Sequence, residues 1–227
     1  MALILTFTLP PIDLIFPSEY AFEQIDDLTY KLVSKANEEP ITSINESAFR
    51  ECTSLESVVI PDSVNTIGNK AFYNCTSLKS IVISDSVKTI GNFAFTYCIS
   101  LESIVIPNSV NTIGGNTFGY CTSLKSVVIP NSVKTIGICA FAYCKSLESV
   151  VIPNSVNTIG ECAFAVCKSL KSVVIGDSVI SIQKDVFFNC PSLKIVTING
   201  LLTEYFKEYF ETNYPKIDLE YNDYLLK

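Results

Sequence analysis

Nine cysteines and no histidine set the chemistry that this chain can attempt. The missing imidazole removes the commonest general base and the commonest metal ligand, so His-based triads, dyads and zinc sites are excluded. Two pairs of thiols draw notice by spacing: Cys139 with Cys144 and Cys162 with Cys167 spell C-x4-C…C-x4-C, a superficial likeness to a zinc site. A disulfide between Cys139 and Cys162 is a second option, since strands of adjacent layers ~4.8 Å apart fall inside the ~4.4–6.8 Å Cα separation of a bridge. Plain free thiols are the third option, and the one expected, with no metal and no cofactor. Cys144 and Cys167 belong to a longer series, Cys52, Cys75, Cys98, Cys121, Cys144, Cys167 and Cys190, that recurs every 23 residues and suits a buried apolar role. Cys139 and Cys162 share a different place in the repeat, held elsewhere by Lys70, Phe93, Asn116 and Asp185. That place tolerates polarity, which predicts exposed, reactive thiols.

The elements that position these residues follow from the same period. Leu55, Leu78, Leu101, Leu124, Leu147, Leu170 and Leu193 are spaced 23 apart without insertion, and each opens a near-copy of one phrase. A constant period of this length means a solenoid, in which each coil contacts only its neighbours. With the opening Leu as position 1, large apolar residues recur at positions 1, 4, 6, 10, 13 and 18, a small residue is usual at 17 and Cys stands at 21. Positions 3 to 6 alternate in and out with β-branched residues, as a short strand does, and Pro at position 7 ends it. Gly68, Gly91, Gly114, Gly137 and Gly160 at position 14 are expected to take positive φ and turn the coil's corner, with Gln183 in that place in the sixth coil.

A solenoid needs closed ends. Residues 1–54 are expected to hold an N-terminal cap and a degenerate first coil, in which Ile41, Ile44, Ala48, Phe49 and Cys52 match positions 10, 13, 17, 18 and 21. The opening half of that coil, from Leu32 to Pro40, has lost the strand pattern. Residues 55–192 make six repeats, and 193–227 a C-terminal cap. There Leu202, Tyr205, Phe206, Tyr209 and Phe210 follow helical spacing, Pro215 stops the helix, and Ile217, Leu219 and Tyr221 suit a last short strand.

The repeat resembles that of BspA-type leucine-rich repeat proteins. Residues 124–146 carry Leu124, Val127, Ile129, Pro130, Ser132, Val133, Ile136, Gly137, Ala140, Phe141 and Cys144 onto the family pattern. The resemblance implies a right-handed superhelix of α/β type, mostly strand and turn, with a parallel sheet on one face and a C-terminal capping helix. It further implies a non-catalytic adhesion or binding module, cell-surface or secreted, with a protein partner of the host or extracellular-matrix kind. The residues themselves are equally compatible with the cytoplasm. Residues 1–16 are apolar but lack a basic start and contain Pro10 and Pro11, a weak match to a secretory signal. No stretch reaches the ~20 apolar residues of a membrane span.

Composition narrows the partners. The net charge of −7 is uneven: residues 1–54 hold nine acids and three bases, 55–192 eight and nine, and 193–227 six and four. Without a basic stripe, nucleic acid has no electrostatic footprint here. No phosphate-binding glycine loop or zinc-protease motif appears, and no catalytic residue is expected. Three surface stripes remain. On the strand face, the position 5 valines run beside position 2 charges of alternating sign, which makes Glu102, Val105, Lys125, Val128, Glu148 and Val151 the first candidate contact. Opposite charges on adjacent strands also stabilise the stack itself, which is the simpler reading of that alternation. Tyr97, Tyr120 and Tyr143 at position 20 form an alternative stripe on the flank, suited either to a partner or to mutual stacking. The loop row Asp62, Asp85, Asn108, Asn131, Asn154 and Asp177 suits turn backbone. A structural, self-associating scaffold is the second functional reading.

Overall fold

A computed structural model of the chain describes residues 21–24, 29–33, 39–199 and 203–222. The repeats form a parallel β-solenoid of about seven turns. Along one face lie the long strands Ser57–Ile60, Ser80–Ile83, Ser103–Val105, Ser126–Val128, Ser149–Ile152, Ser172–Ile175 and Ile195–Asn199. Along a second lie two-residue strands from Ser43–Ile44 to Ser181–Ile182, one per coil. Pairing is in register at the repeat length, Ser57 on Ser80 and Ser149 on Ser172, so every position stacks on its own copy.

The inward positions are those that the pattern predicts. In the third coil Leu101, Ile104, Ile106, Val110, Ile113, Phe118 and Cys121 are all 2% exposed or less. Phe49, Phe72, Phe95, Phe118, Phe141, Phe164 and Phe187 form a continuous stack with ring centroids 5.0–5.9 Å apart. Position 21 adds a polar function to its apolar one. Each thiol donates to the position 18 carbonyl of the coil before, from Cys75 on Phe49 at 3.0 Å to Cys167 on Phe141 at 3.3 Å. Ser132 and Ser155 do likewise at position 9, donating at 2.6 and 2.7 Å to the carbonyls of Val110 and Val133.

The structure corrects the expectation for position 14. No glycine there has positive φ; instead positions 16 and 20 do, with φ of 54–63° in every coil and no glycine among them. Those left-handed residues turn N–H groups along the stack. Phe93, Phe95 and Tyr97 donate forward to the carbonyls of Gly115, Thr117 and Gly119 at 2.8–3.0 Å, while the strands donate backward. Glycine is needed at position 14 for space. A Cβ on Gly137 would lie 2.7 Å from the carbonyl carbon of Gly114, and one on Gly160 2.7 Å from that of Gly137. Gly137 and Gly160 each donate to the preceding coil at 2.8 Å, and Gln183 makes the same bond at 3.0 Å.

Both ends depart from the 23-residue count in instructive ways. At the N-terminal end Tyr30, 6% exposed, pairs with Val58, 28 residues on, so this coil's strand is Thr29–Val33 and lies upstream of where the repeat count puts it. An antiparallel strand, Ala21–Gln24, covers its outer edge. The remainder of the expected N-terminal cap, including residues 1–20, lies outside the described residues. At the C-terminal end helix α1, Thr203–Asn213, replaces the convex turns, yet strand Asp218–Asn222 pairs with Ile195–Asn199 at a separation of 23. The helix thereby sets Phe210 against Phe187 at 6.1 Å, one more ring at position 18. Phe206 and Phe210 are buried, Tyr209 donates to the Gln183 carbonyl at 2.9 Å, and Leu202 lies outside the described residues.

Candidate functional site

On the long-strand face the position 5 valines point outward, as alternation requires. Val82, Val105, Val128 and Val151 are 59, 66, 58 and 60% exposed, whereas Val59 and Val174 near the ends are only partly so. In the Ser103–Val105 and Ser126–Val128 pair, Val105 sits directly beside Val128. A shallow recess of about 490 Å³ opens where coils two and three meet, lined by Ile81, Val82, Ile83, Val105, Asp62 and Asp85. Coil two has Ser84 in place of the strand-ending proline, and its hydroxyl donates to Asp62 at 2.5 Å.

The charged residues flanking this strip are arranged as separate dyads. Lys79 pairs with Glu56, Lys125 with Glu102 and Lys171 with Glu148, at 2.7, 2.8 and 2.7 Å. Each ammonium thus bonds back one coil, and each dyad lies within one 46-residue double repeat, the distance after which Glu56 is followed by Glu102. The Lys125 hydrogen bond, then its charge, holds the Glu102 carboxyl below its ordinary value, and Lys171 does the same for Glu148.

On the flank the three tyrosines stack on one another. Tyr97 and Tyr120 rings lie 4.5 Å apart, Tyr120 and Tyr143 4.2 Å, and Tyr73 meets Tyr97 edge-on at 5.6 Å. All three are half-buried. Burial, followed by the neighbouring Tyr143 hydroxyl, pushes the Tyr120 phenol up to about 12. Their ring faces are occupied by each other, which leaves edges and hydroxyls outward.

The cysteines divide as their columns predict, with one difference. Cys75, Cys98, Cys121, Cys144 and Cys167 are fully buried, while the end members Cys52 and Cys190 are partly exposed. Burial raises the Cys121 and Cys144 thiols above their ordinary range and Cys52 to about 12. Cys144 and Cys167 point inward to the Phe118 and Phe141 carbonyls, so the C-x4-C pairs are not brought together as a four-thiol site. Cys139 and Cys162 are half-buried, less exposed than expected, and occupy the same column of adjacent coils. Sequence reasoning overlooked their acidic neighbours: Glu161 and Asp185 converge with Cys162. The signal was legible, because Asp185 lies one repeat after Cys162 in the same column.

Fold, repeat grammar and surface together define a leucine-rich repeat solenoid. The family model described as BspA type leucine rich repeat region, six copies, matches residues 17–148 and 134–224, and the chain belongs to that family. Among solved structures it is similar to a T. pallidum leucine-rich repeat protein, at 28% identity and TM-score 0.69, over 91% of this chain and 98% of that one. A leucine-rich cell surface protein from Faecalibacterium prausnitzii matches at 21% identity and TM-score 0.39, over 92% of this chain and 94% of that one. The pneumococcal vaccine antigen PcpA matches at 13% and 0.47, over 90 and 96%. No curated protein sequence matches the chain.

Proposed function

We propose that the chain is a non-catalytic protein-binding module whose long-strand face meets its partner, with Val105, Val128 and Val151 at the centre and Glu102, Lys125 and Glu148 beside them. The observation that carries this reading is the row of four valines, each 58% exposed or more, on aligned central strands. A contiguous exposed apolar strip marks a contact surface. Interface affinity concentrates in desolvated apolar residues, with charged groups on the rim, and the dyads stand where a rim would. The Tyr97, Tyr120 and Tyr143 flank supports the reading less, since those rings already bury one another. Among the described residues no helix is long and apolar enough to cross a membrane.

The test begins with affinity capture by the intact chain and identification of the bound protein. Val105, Val128 and Val151 are then changed together to Thr, which keeps β-branching and therefore the strands. The reading requires this triple to weaken binding with the thermal melt intact, and requires a Tyr97, Tyr120 and Tyr143 to Ser triple to weaken it less. The reverse order moves the contact to the flank. Solution mass separates a foreign partner from self-association: a concentration-independent monomer accords with the first, and oligomers that the Val triple dissolves with the second.

A further inference from the structure

We infer that Glu161, Cys162 and Asp185 form a binding site for a thiophilic divalent cation of the zinc class. One ligand atom from each of Glu161, Cys162 and Asp185 lies within 4.8 Å of the other two. Donors around a tetrahedral ion, at ~2.0–2.2 Å for carboxylate oxygen and ~2.3 Å for thiolate sulfur, stand roughly 3.4–3.8 Å from each other. Side-chain movement on the order of 1 Å therefore closes the three onto one ion.

The stack explains why these groups converge. Cys139, Cys162 and Asp185 occupy position 16 of three successive coils, with φ of 54, 55 and 56°. Nearly identical backbone sends the three side chains out in parallel, one layer apart. Glu161 joins from position 15, and its carbonyl accepts the Cys139 N–H at 2.9 Å, which fixes one coil against the next at this point. Cys139 holds the same position one coil further from Asp185 and lies outside this cluster, so three side chains make the site.

Electrostatics favour a cation at this point. Two carboxylates, Glu161 and Asp185, meet one thiol here. Lys184 is 3.7 Å from Asp185 with its side chain 80% exposed, a loose counter-ion that a divalent ion displaces readily. As the sulfur–metal bond forms, the thiol proton leaves to solvent, and no oxidant or reductant is needed. A thiolate with two carboxylates suits zinc or cadmium; magnesium and calcium prefer all-oxygen shells. The site is independent of the strand face, on another side of the coil.

The test uses the whole chain, reduced with a phosphine and freed of metal. Equilibrium dialysis against zinc chloride should give one zinc per chain. Cys162→Ser and Asp185→Asn should each weaken binding about tenfold or more, with apo melting temperatures unchanged. Cadmium should give an ultraviolet thiolate charge-transfer band that Cys162→Ser abolishes and Cys139→Ser leaves in place. Bound zinc should also slow alkylation of Cys162, located by mass spectrometry. Absence of zinc binding overturns the site. So does binding that survives both substitutions, or that leaves the alkylation rate of Cys162 unchanged.

Discussion

Phe118→Ala removes the middle ring of the aromatic stack, and its cost follows from what the ring touches. Phe118 is 0% exposed and lies between Phe95 at 5.4 Å and Phe141 at 5.3 Å, nearly parallel to both. Truncating a buried Phe costs ~3–5 kcal/mol through lost transfer energy and the cavity left behind. Two ring contacts, each worth ~0.5–1.5 kcal/mol beyond area, push the expected loss to the upper part of that range. Close in-register packing on both sides leaves the cavity little room to collapse. At ~2–4 °C per kcal/mol for a chain of this size, the melt should fall by roughly 8–20 °C. Because a solenoid is held by nearest-neighbour interfaces, amide exchange should rise most in the coils containing Phe95, Phe118 and Phe141. Val105→Thr, at a site 66% exposed, is the control and should change stability by no more than ~0.5 kcal/mol. A Phe118→Ala melt indistinguishable from that control would refute the packing argument.

Gly137→Ala should destabilise by ~1–3 kcal/mol through its backbone clash with Gly114. Lys70→Gly, at φ 55°, should be neutral or stabilising by up to ~1 kcal/mol; a loss there in urea melts would show that the left-handed turns are not at position 16. In the native, reduced, metal-free protein Cys139 and Cys162 should alkylate first, and Cys75, Cys98, Cys121, Cys144 and Cys167 only on unfolding; equal rates for all nine would contradict the burial. Glu102 titrates below its ordinary value when folded, so its share of stability is present above the unfolded pKa and is lost as pH falls through the folded one. Lys125→Met should move the Glu102 carboxyl titration upward in NMR, and an unmoved value would dissolve the dyad. Since the strand-face charges already pair within the chain, partner binding there should depend only weakly on ionic strength; a steep dependence would place the contact on the acidic caps.

The fold was legible because a period of 23 carries its own geometry. Once Leu, Ile, Val and Phe recur at fixed places, in-register stacking is the arrangement that buries all of them, and Phe118 or Val110 could be assigned inward from spacing alone. Backbone conformation was less accessible. Glycine at position 14 suggests positive φ, yet its cause is the carbonyl carbon 2.7 Å from a would-be Cβ, a contact with the preceding coil that no single repeat reveals. The left-handed residues at position 16 of the six repeats are Lys70, Phe93, Asn116, Cys139, Cys162 and Asp185, of which only Asn and Asp are enriched there. The N-terminal strand escaped for a related reason: the interval from Tyr30 to Val58 is longer than the repeat, so periodicity looked for it too late. Of the surface candidates, charge alternation correctly suggested pairing but not its grouping into dyads, which depends on which way each lysine bends.

The constraints of stacking decide where this molecule can carry information. Positions 1, 4, 6, 10, 13, 18 and 21 are committed to the core, 9 to bonds between coils, 14 to close approach, and 16 and 20 to the left-handed turns, although their side chains remain free to vary. What is left for recognition is the outward side of the long strands and the convex flank. The chain treats them oppositely. Position 5 is valine in all six repeats and position 2 alternates between Glu and Lys, so the strand face repeats one pattern every two coils. Positions 15 and 16 change at nearly every coil, from Asn69 and Lys70 through Ile138 and Cys139 to Lys184 and Asp185. A repeating face offers a partner several equivalent registers and gains contact area with each added coil, which suits a broad protein surface. A non-repeating flank can place a thiol and two carboxylates together, which among the described residues happens once. The same period that makes one face uniform thus brings residues from two neighbouring coils to a single point on the other.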